Sequence, residues 1–329
     1  VTPGKLIKID PRTLATTAPG VFAGGDVAFG PRNIIDAVAN GKTAALSMDE
    51  YLRGRKPAFV YELSVEKIPT RRFVRPDNMF LAVVGDFSVD ELAAKVEAHF
   101  GDWTAAGPLD LPPLPKVEPR FEAGVSLLSR NLTQSNVVLG HFGINRANPD
   151  RYAIQIMDII LGGGGFSSRI MERVRTDEGL AYSVASSFPT SSRDVSLFRV
   201  TVQTKNENVP RAVRAILEEI GRMQNQLVSP MELDGAKEAI VNSFVFRFTS
   251  RFSVVTQLLT LELDGYPPDY YDTLLDRYRA VTREDVQRVA RQYLRPDAVS
   301  IVVVGNAAAF EPAMAAFGPV RHLPLSPTD

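Results

Sequence analysis

The sequence reads RPDAVSIVVVGN at residues 295–306, and a similar stretch, RPDNMFLAVVGD, stands 220 positions earlier at residues 75–86. Six of the twelve positions are identical. In both copies a continuous apolar run ends at a glycine, which is the pattern of a buried strand. A repeat of this kind indicates a duplicated structural unit. If each unit ends in this strand, residues 121–306 form one whole unit, and the stretch that ends at Gly85 is the tail of a preceding unit.

Composition excludes several classes of function. The chain has 329 residues, with 37 Lys and Arg against 38 Asp and Glu, so its formal net charge is −1. Neither nucleic acid nor a membrane is therefore expected as a partner. The absence of cysteine excludes disulfides, thiolate metal sites and a cysteine nucleophile. No apolar stretch approaches the ~20 residues of a membrane helix. A soluble protein is expected, and the compartment stays open between cytoplasm and periplasm.

The repeat and the composition along the chain divide it into five segments. A proline-rich stretch that can neither coil nor pair is expected to be an extended linker between units. Because too little chain precedes the first copy of the repeat for a full unit, we interpret the region before it as a junction between two unrelated proteins. The expected segments are a remnant at 1–57, the junction and first-unit tail at 58–103, the linker at 104–120, the complete unit at 121–306 and a tail at 307–329.

The first segment carries a strand, a Gly-Gly-Asp turn and a helix. The stretch TAPGVFAGGD at residues 17–26, followed by AVANGKTAA at residues 37–45, resembles the closing segment of FAD/NAD(P) oxidoreductases of the glutamate-synthase small-subunit type. That resemblance implies that Asp26 contacts the ribityl or phosphate region of a flavin. No G-x-G-x-x-G fingerprint occurs, however, so neither dinucleotide-binding unit is complete. We expect a remnant that does not hold FAD.

A second resemblance covers about residues 73–306. This region is similar to the pitrilysin/insulinase metallopeptidases, in the short bacterial branch close to mitochondrial processing peptidase. The residues that carry the similarity are RPDNMFLAVVGDF at 75–87, FGDW at 100–103, GGGGFSSR at 162–169 and RTDEGLAYS at 175–183. The resemblance implies an α+β fold with an antiparallel sheet covered by helices on one face. It would be preceded by a partial unit and an α/β dinucleotide-domain remnant.

Members of that family pair a zinc-bearing half with a similar half that has lost the metal. This chain resembles the metal-free half, because the helix expected at residues 150–161 lacks the H-x-x-E-H motif. Its three histidines, His99, His141 and His322, are scattered and are each expected to be structural. We therefore expect no metal in this chain, zinc in a partner subunit or domain, and no peptidase activity by the chain alone. Whether the chain is to be called an enzyme is left open.

The resemblance also implies a role for an Arg and a Tyr seven residues apart. Tyr182 would hydrogen-bond the scissile carbonyl as its oxygen gains charge, and Arg175 would fix the backbone of the peptide substrate. The alternative is that Arg175 pairs with a carboxylate and Tyr182 merely packs. A glycine-rich loop would line the peptide chamber, or else serve as a flexible turn that seats the following helix. The residues of this loop are Gly162, Gly163, Gly164, Gly165 and Phe166.

Two functions are consistent with the sequence. The first is the non-catalytic, substrate-binding half of a zinc-dependent endopeptidase, which contributes Arg175, Tyr182 and the glycine-rich loop to a partner's zinc site. The alternative is a segment of an FAD-dependent NAD(P)H oxidoreductase fused to a peptidase-like docking module. Bound flavin would favour the alternative, whereas its fingerprints are missing from the sequence.

Overall fold

The computed structural model describes residues 6–24, 26–29, 34–55, 74–105, 107–109, 111, 115, 117–191 and 193–324. The side chains of residues 26 and 34–42 are outside this description. The chain divides into two compact units, of which the first comprises Val1–Asn78 and Ala105–Leu111 and the second Met79–Thr104 and Pro112–Asp329. The five segments expected from the sequence stay a prediction.

Helices account for most of the described chain. The α-helices are α1 (Asp26–Phe29), α2 (Ile34–Leu52), α3 (Val89–Phe100), α4 (Arg151–Asp158), α5 (Arg169–Met171), α6 (Val209–Asn225), α7 (Pro230–Phe244), α8 (Arg251–Asp264), α9 (Tyr270–Arg279), α10 (Arg283–Tyr293) and α11 (Glu311–Met314). The strands are β1 (Gly124–Ser129), β2 (Gln134–Phe142), β3 (Ala181–Ser187), β4 (Leu197–Lys205), β5 (Ser300–Gly305) and β6 (Val320–His322).

The first unit contains α1, α2 and two isolated backbone bridges. Ile9 pairs with Thr16, and Ala15 pairs with Phe22. The ring of Phe22 meets Tyr51 of α2 edge to face at 6.1 Å. The strand expected before the Gly-Gly-Asp turn is therefore reduced to one bridge, because no neighbouring strand extends its ladder in the described part of this unit.

The second unit is built on a six-stranded sheet in the order β3-β4-β2-β5-β1-β6. The pairs β3–β4, β4–β2 and β2–β5 are antiparallel. β1, however, runs parallel to both β5 and β6, so the sheet is mixed rather than purely antiparallel. A parallel pair needs a crossover connection, and here the helices between β4 and β5 bring the chain back beside β1. The α+β fold class is confirmed.

One face of this sheet is covered by helices. Burial alternates residue by residue along β2 and β4, so one side of each strand lies in the core and the other is exposed. The buried side packs against α4, α6 and α10, whose apolar faces are fully buried. The prediction of a sheet covered on one face is confirmed.

The two copies of the repeat adopt different structures. The second copy forms β5, which is hydrogen-bonded to β1 on one side and β2 on the other. The first copy, residues 79–84, forms no strand, and its large apolar side chains are exposed. A strand needs partners on its edges, and the described residues supply none to this segment. The strand expected there is therefore absent.

Candidate functional site

The glycine-rich loop begins at the end of α4, where the helix contacts β3 of the sheet. α4 continues into a π-helical turn, Ile159–Gly163, so the helical path ends inside the glycine run. A Cβ at Gly162 would lie 2.6 Å from Oγ and 2.7 Å from the backbone nitrogen of Ser186 on β3. No side chain fits at that distance, so Gly162 allows the helix to contact the strand directly.

The same loop also presents the exposed ring of Phe166 at the surface. Gly165 has φ = +68°, a left-handed conformation that glycine adopts at little cost. It opens a single 3-10 turn, Gly165–Ser167, and the hydroxyl of Ser168 donates to the Gly165 carbonyl at 2.7 Å. The side chain of Phe166 on this turn is 76% exposed. The loop is thus an ordered turn that presents an aromatic side chain, and it also precedes the short helix α5.

Arg175 lies between two exposed aromatic rings. It lies within a second π-helical turn, Glu172–Asp177. The guanidinium carbon is 4.6 Å from the ring centre of Phe166 and 4.9 Å from that of Tyr182. Cations at this distance from an aromatic face are attracted by the ring quadrupole. The structure therefore brings together Arg175, Tyr182 and the end of the glycine-rich loop.

The exposure of Tyr182 has a local backbone cause. Among the described strands, β3 pairs only with β4, so it is an edge strand of the sheet. The register between the two strands shifts between Ala181 and Ser183, so Tyr182 is the extra residue of a β-bulge. Bulges redirect side chains, and both Tyr182 and Ser183 are exposed as a result. Tyr182 is 82% exposed, with its phenol facing solvent.

This arrangement has free hydrogen-bonding capacity. No ion pair joins Arg175 to a carboxylate among the described residues, and the hydroxyl of Tyr182 has no partner there. A phenol donor beside a guanidinium can stabilise a carbonyl oxygen that acquires negative charge. The ring of Tyr182 contacts Arg175, and the choice between a substrate-binding role and a purely structural role for the two residues stays open.

A partly buried ion pair fixes the helix that separates the loop from Arg175. Arg169 on α5 donates to both carboxylate oxygens of Glu232, at 2.5 and 3.0 Å. Glu232 also closes the capping box of α7 with Ser229. Partial burial alone raises the pKa of Glu232, but the bonds from Arg169 and Ser229 lower it to about 2. The ion pair therefore persists at neutral pH.

The histidines are placed as structural groups. His141 lies in the core, where its Nδ1 faces the carbonyl of Phe142 at 2.7 Å and its Nε2 accepts from the backbone nitrogen of Arg295 at 3.1 Å. His99 contacts the carbonyl of Lys95, and His322 contacts Glu311. Within the described ranges, no three His, Cys, Asp or Glu residues come together in a way that could hold a metal ion.

The flavin motif is described only in part. Asp26 is the first residue of α1, a helix of four residues, and its side chain lies outside the described atoms. The implied contact with a flavin stays a prediction.

A polar cleft that Gly163 of the glycine-rich loop helps to line is not predicted from the sequence. It has a volume of about 400 Å³ and is lined by Arg151, Gln155, Arg247 and four tyrosines, among others. The signal available in the sequence is the spacing of Tyr266, Tyr270 and Tyr278, which places aromatic groups at intervals of four and eight residues.

Comparison with known proteins relates most of the chain to proteins named as peptidases or proteases. A family model described as the peptidase M16 inactive domain matches residues 70–240. A protein named as an uncharacterized zinc protease from Streptomyces coelicolor is 29% identical over 259 residues, which cover 75% of this chain and 54% of that protein. The crystal structure of a peptidase M16 inactive domain from Pseudomonas fluorescens has a TM-score of 0.58 at 27% identity, covering 68% of this chain and 52% of that one.

A different relative matches a short segment. Over 47 residues the chain is 60% identical to the beta subunit of an NADP(+)-dependent formate dehydrogenase from Moorella thermoacetica, which is 14% of this chain and 7% of that protein. For the zinc-protease relatives, the chain spans about half of their length. Across the described residues, no helix combines the length and apolarity needed to cross a membrane.

Proposed function

This chain belongs to the family of the peptidase M16 inactive domain, and on that basis we propose that it is the metal-free half of a zinc-dependent endopeptidase. In this proposal a partner half supplies the zinc, which activates water, and the glutamate base. This chain supplies a wall of the peptide site and two polar groups, Arg175 and Tyr182. The mixed sheet with helices on one face is shared with the solved inactive domain.

The stacking of Arg175 between Phe166 and Tyr182 is the observation that carries the proposal. It keeps a phenol donor and a positive charge together at an exposed edge, where a substrate can reach both. Tyr182 would donate a hydrogen bond to the scissile carbonyl oxygen, and Arg175 would contact the peptide backbone. A donor aimed at a developing oxyanion is usually among the largest contributions to catalysis.

The edge strand gives the peptide a place to bind. β3 pairs only with β4 among the described strands, so the backbone groups on its other side are available for strand addition. The glycine-rich loop contacts this strand at Gly162 and Ser186. A peptide added to β3 would then pass beside the glycines of this loop, which lack side chains and allow its backbone to come close.

The test mixes this chain with the part of the Streptomyces coelicolor relative that it does not match, produced as a separate chain. Cleavage of a fluorogenic peptide is expected from the mixture with zinc and from neither chain alone. Tyr182→Phe should lower kcat of the mixture about a hundredfold with little change in KM. Tyr51→Phe, at the other strongly exposed tyrosine of the described chain, should leave kcat unchanged.

Three outcomes would contradict the proposal. They are turnover by this chain alone with zinc, a mixture that stays inactive, and full activity with Tyr182→Phe. The first would make the chain a complete enzyme. The third would leave the exposed tyrosine without a role in the reaction.

A second candidate function is favoured by the 60% identity to the formate dehydrogenase subunit. In it the first segment belongs to a flavin-dependent oxidoreductase, and the peptidase-like unit is a docking module. The test is the absorption spectrum of the purified chain with added FAD. A flavin band near 450 nm that stays with the protein through gel filtration would favour this candidate, and Asp26→Ala should then abolish it.

A further inference from the structure

The cleft of about 400 Å³ in the second unit lies apart from the exposed Arg175 stack. α4 forms one wall through Arg151 and Gln155, and the loop after β3 forms another through Phe188 and Pro189. Gly163 of the glycine-rich loop also lines it. The cleft is therefore formed in part by α4, the helix that the family resemblance equates with the zinc helix of the metal-bearing half and that carries no H-x-x-E-H motif here.

The acceptor groups of this cleft are already occupied. The carboxylate of Asp158 accepts from the hydroxyl of Ser186 at 2.5 Å and from the backbone nitrogen of Phe188 at 3.0 Å. The side-chain oxygen of Gln155 accepts from the hydroxyl of Tyr278. Burial raises the pKa of Asp158, while its hydrogen bonds with Ser186 and Phe188 act in the opposite direction.

The donor groups, in contrast, are largely free. Arg247 has neither a hydrogen bond nor an ion pair with any described residue, and the hydroxyls of Tyr266 and Tyr270 have no partner there either. The amide nitrogen of Gln155 likewise has no hydrogen-bond partner among the described residues. Burial raises the pKa of Tyr270 to about 12, so its phenol stays a donor at neutral pH.

Arg151 adds a second positive charge without a carboxylate partner. Its guanidinium donates to the carbonyl of Arg146 at 2.7 Å and to the hydroxyl of Tyr152 at 2.6 Å, and no carboxylate of the described chain pairs with it. It also lies 5.4 and 5.6 Å from the ring centres of Tyr266 and Tyr270. Two cations and several free donors thus face one small space.

We propose that this cleft binds the carboxylate of a peptide, with Arg247 and Arg151 supplying the charge and Tyr266 and Tyr270 supplying hydrogen bonds. Guanidinium groups bind carboxylates through paired, charge-assisted hydrogen bonds. Phe188 and Pro189 provide an apolar wall for the carbon atoms of the peptide residue that carries this carboxylate. The carboxylate can come from an acidic side chain or from the C-terminus of the peptide. This inference does not depend on a zinc-bearing partner.

The experiment uses the full chain alone and isothermal titration calorimetry with three blocked tripeptides. One is an acetylated Ala-Glu-Ala amide, one is an acetylated Ala-Gln-Ala with a free C-terminal acid, and one is an acetylated Ala-Gln-Ala amide. We expect at least one of the two acid-bearing peptides to bind about tenfold more tightly than the neutral amide, or more tightly still. Which acid binds identifies the source of the carboxylate. Equal affinity for all three, or no binding of any, would overturn the proposal.

Two conservative variants test the residues. Arg247→Gln and Tyr270→Phe should each weaken the acid-bearing peptide, by about tenfold and about threefold respectively, and leave the neutral peptide unaffected. Arg247 is exposed and Phe keeps the ring of Tyr270, so both variants should fold. Arg214→Gln removes an exposed arginine of α6 that does not line the cleft and is the matched control. Unchanged binding by Arg247→Gln would contradict the assignment.

Discussion

The guanidinium carbon of Arg175 lies 4.9 Å from the ring centre of Tyr182, and Phe166 covers its other side at 4.6 Å. Both rings are mostly exposed, at 82% and 76%. Large aromatic side chains usually bury their faces in a core, whereas these two bury only a cation. An exposed arrangement of this kind contributes little to the stability of the fold.

Removing either exposed ring should therefore cost little stability. For Tyr182→Ala and Phe166→Ala we expect a loss of about 0.5–1 kcal/mol in the free energy of unfolding, because exposed cation–π contacts are worth no more. Phe198→Ala is the matched control in the core, where the ring is fully buried and the loss should be about 3–5 kcal/mol. Urea unfolding followed by circular dichroism measures all three. A loss above 2 kcal/mol for Tyr182→Ala would show that this tyrosine is structural.

Gly162 should not tolerate a side chain. A Cβ there would lie 2.6 Å from Oγ of Ser186 and 2.7 Å from its backbone nitrogen, so β3 or the π-helical turn must move. We expect Gly162→Ala to lower the free energy of unfolding by about 1–3 kcal/mol. Gly221→Ala in the middle of α6, where a Cβ meets nothing within 4 Å, should instead stabilise by about 1 kcal/mol. Equal effects of the two substitutions in thermal unfolding would refute the close contact.

The sequence indicates the members of this site better than their arrangement. The resemblance names Arg175, Tyr182 and the glycine-rich loop as candidates, and the structure brings Arg175 and Tyr182 together beside Phe166 of that loop. Their role stays a prediction. The β-bulge at Tyr182 and the two π-helical turns are not foreseeable in this way. Both depend on register and packing against β4 and the sheet, which are non-local contacts that no short pattern records.

Helix N-termini also show what a local pattern leaves undecided. Ser229 and Thr282 begin capping boxes that Glu232 and Asp285 close. Ser88 is the N-cap of α3, but its side chain makes no capping bond. Ser88 and Ser229 are both followed three residues later by Glu, so this spacing alone does not decide whether a capping bond forms.

Glu232 should make stability depend on pH in the acid range. Its pKa is about 2 in the folded chain against 4.5 as its ordinary value, so its contribution is complete above pH 4.5 and is lost as the pH falls toward 2. After allowance for solvent screening, Glu232→Gln should cost about 1–2 kcal/mol at pH 7. Thermal unfolding between pH 7 and pH 2.5 should show this difference shrinking on acidification. Asp276→Asn, which breaks an exposed ion pair with Arg279, is the control and should stay within about 0.5 kcal/mol. A pH-independent cost for Glu232→Gln would mean that its charge is not involved.

The two copies of the repeat allow one substitution to be tested in two environments. Leu81 and Ile301 occupy equivalent positions, yet Leu81 is 65% exposed and Ile301 is completely buried between Val125 and Leu139 on the neighbouring strands. Ile301→Ala should therefore lower the free energy of unfolding by about 2–5 kcal/mol, and Leu81→Ala by less than about 0.5 kcal/mol. Denaturant unfolding of both variants at two protein concentrations measures this. If Leu81→Ala were as costly as Ile301→Ala, residues 79–84 would be buried in solution. A cost that grows with protein concentration would further show that another chain covers them, since only an intermolecular contact responds to mass action.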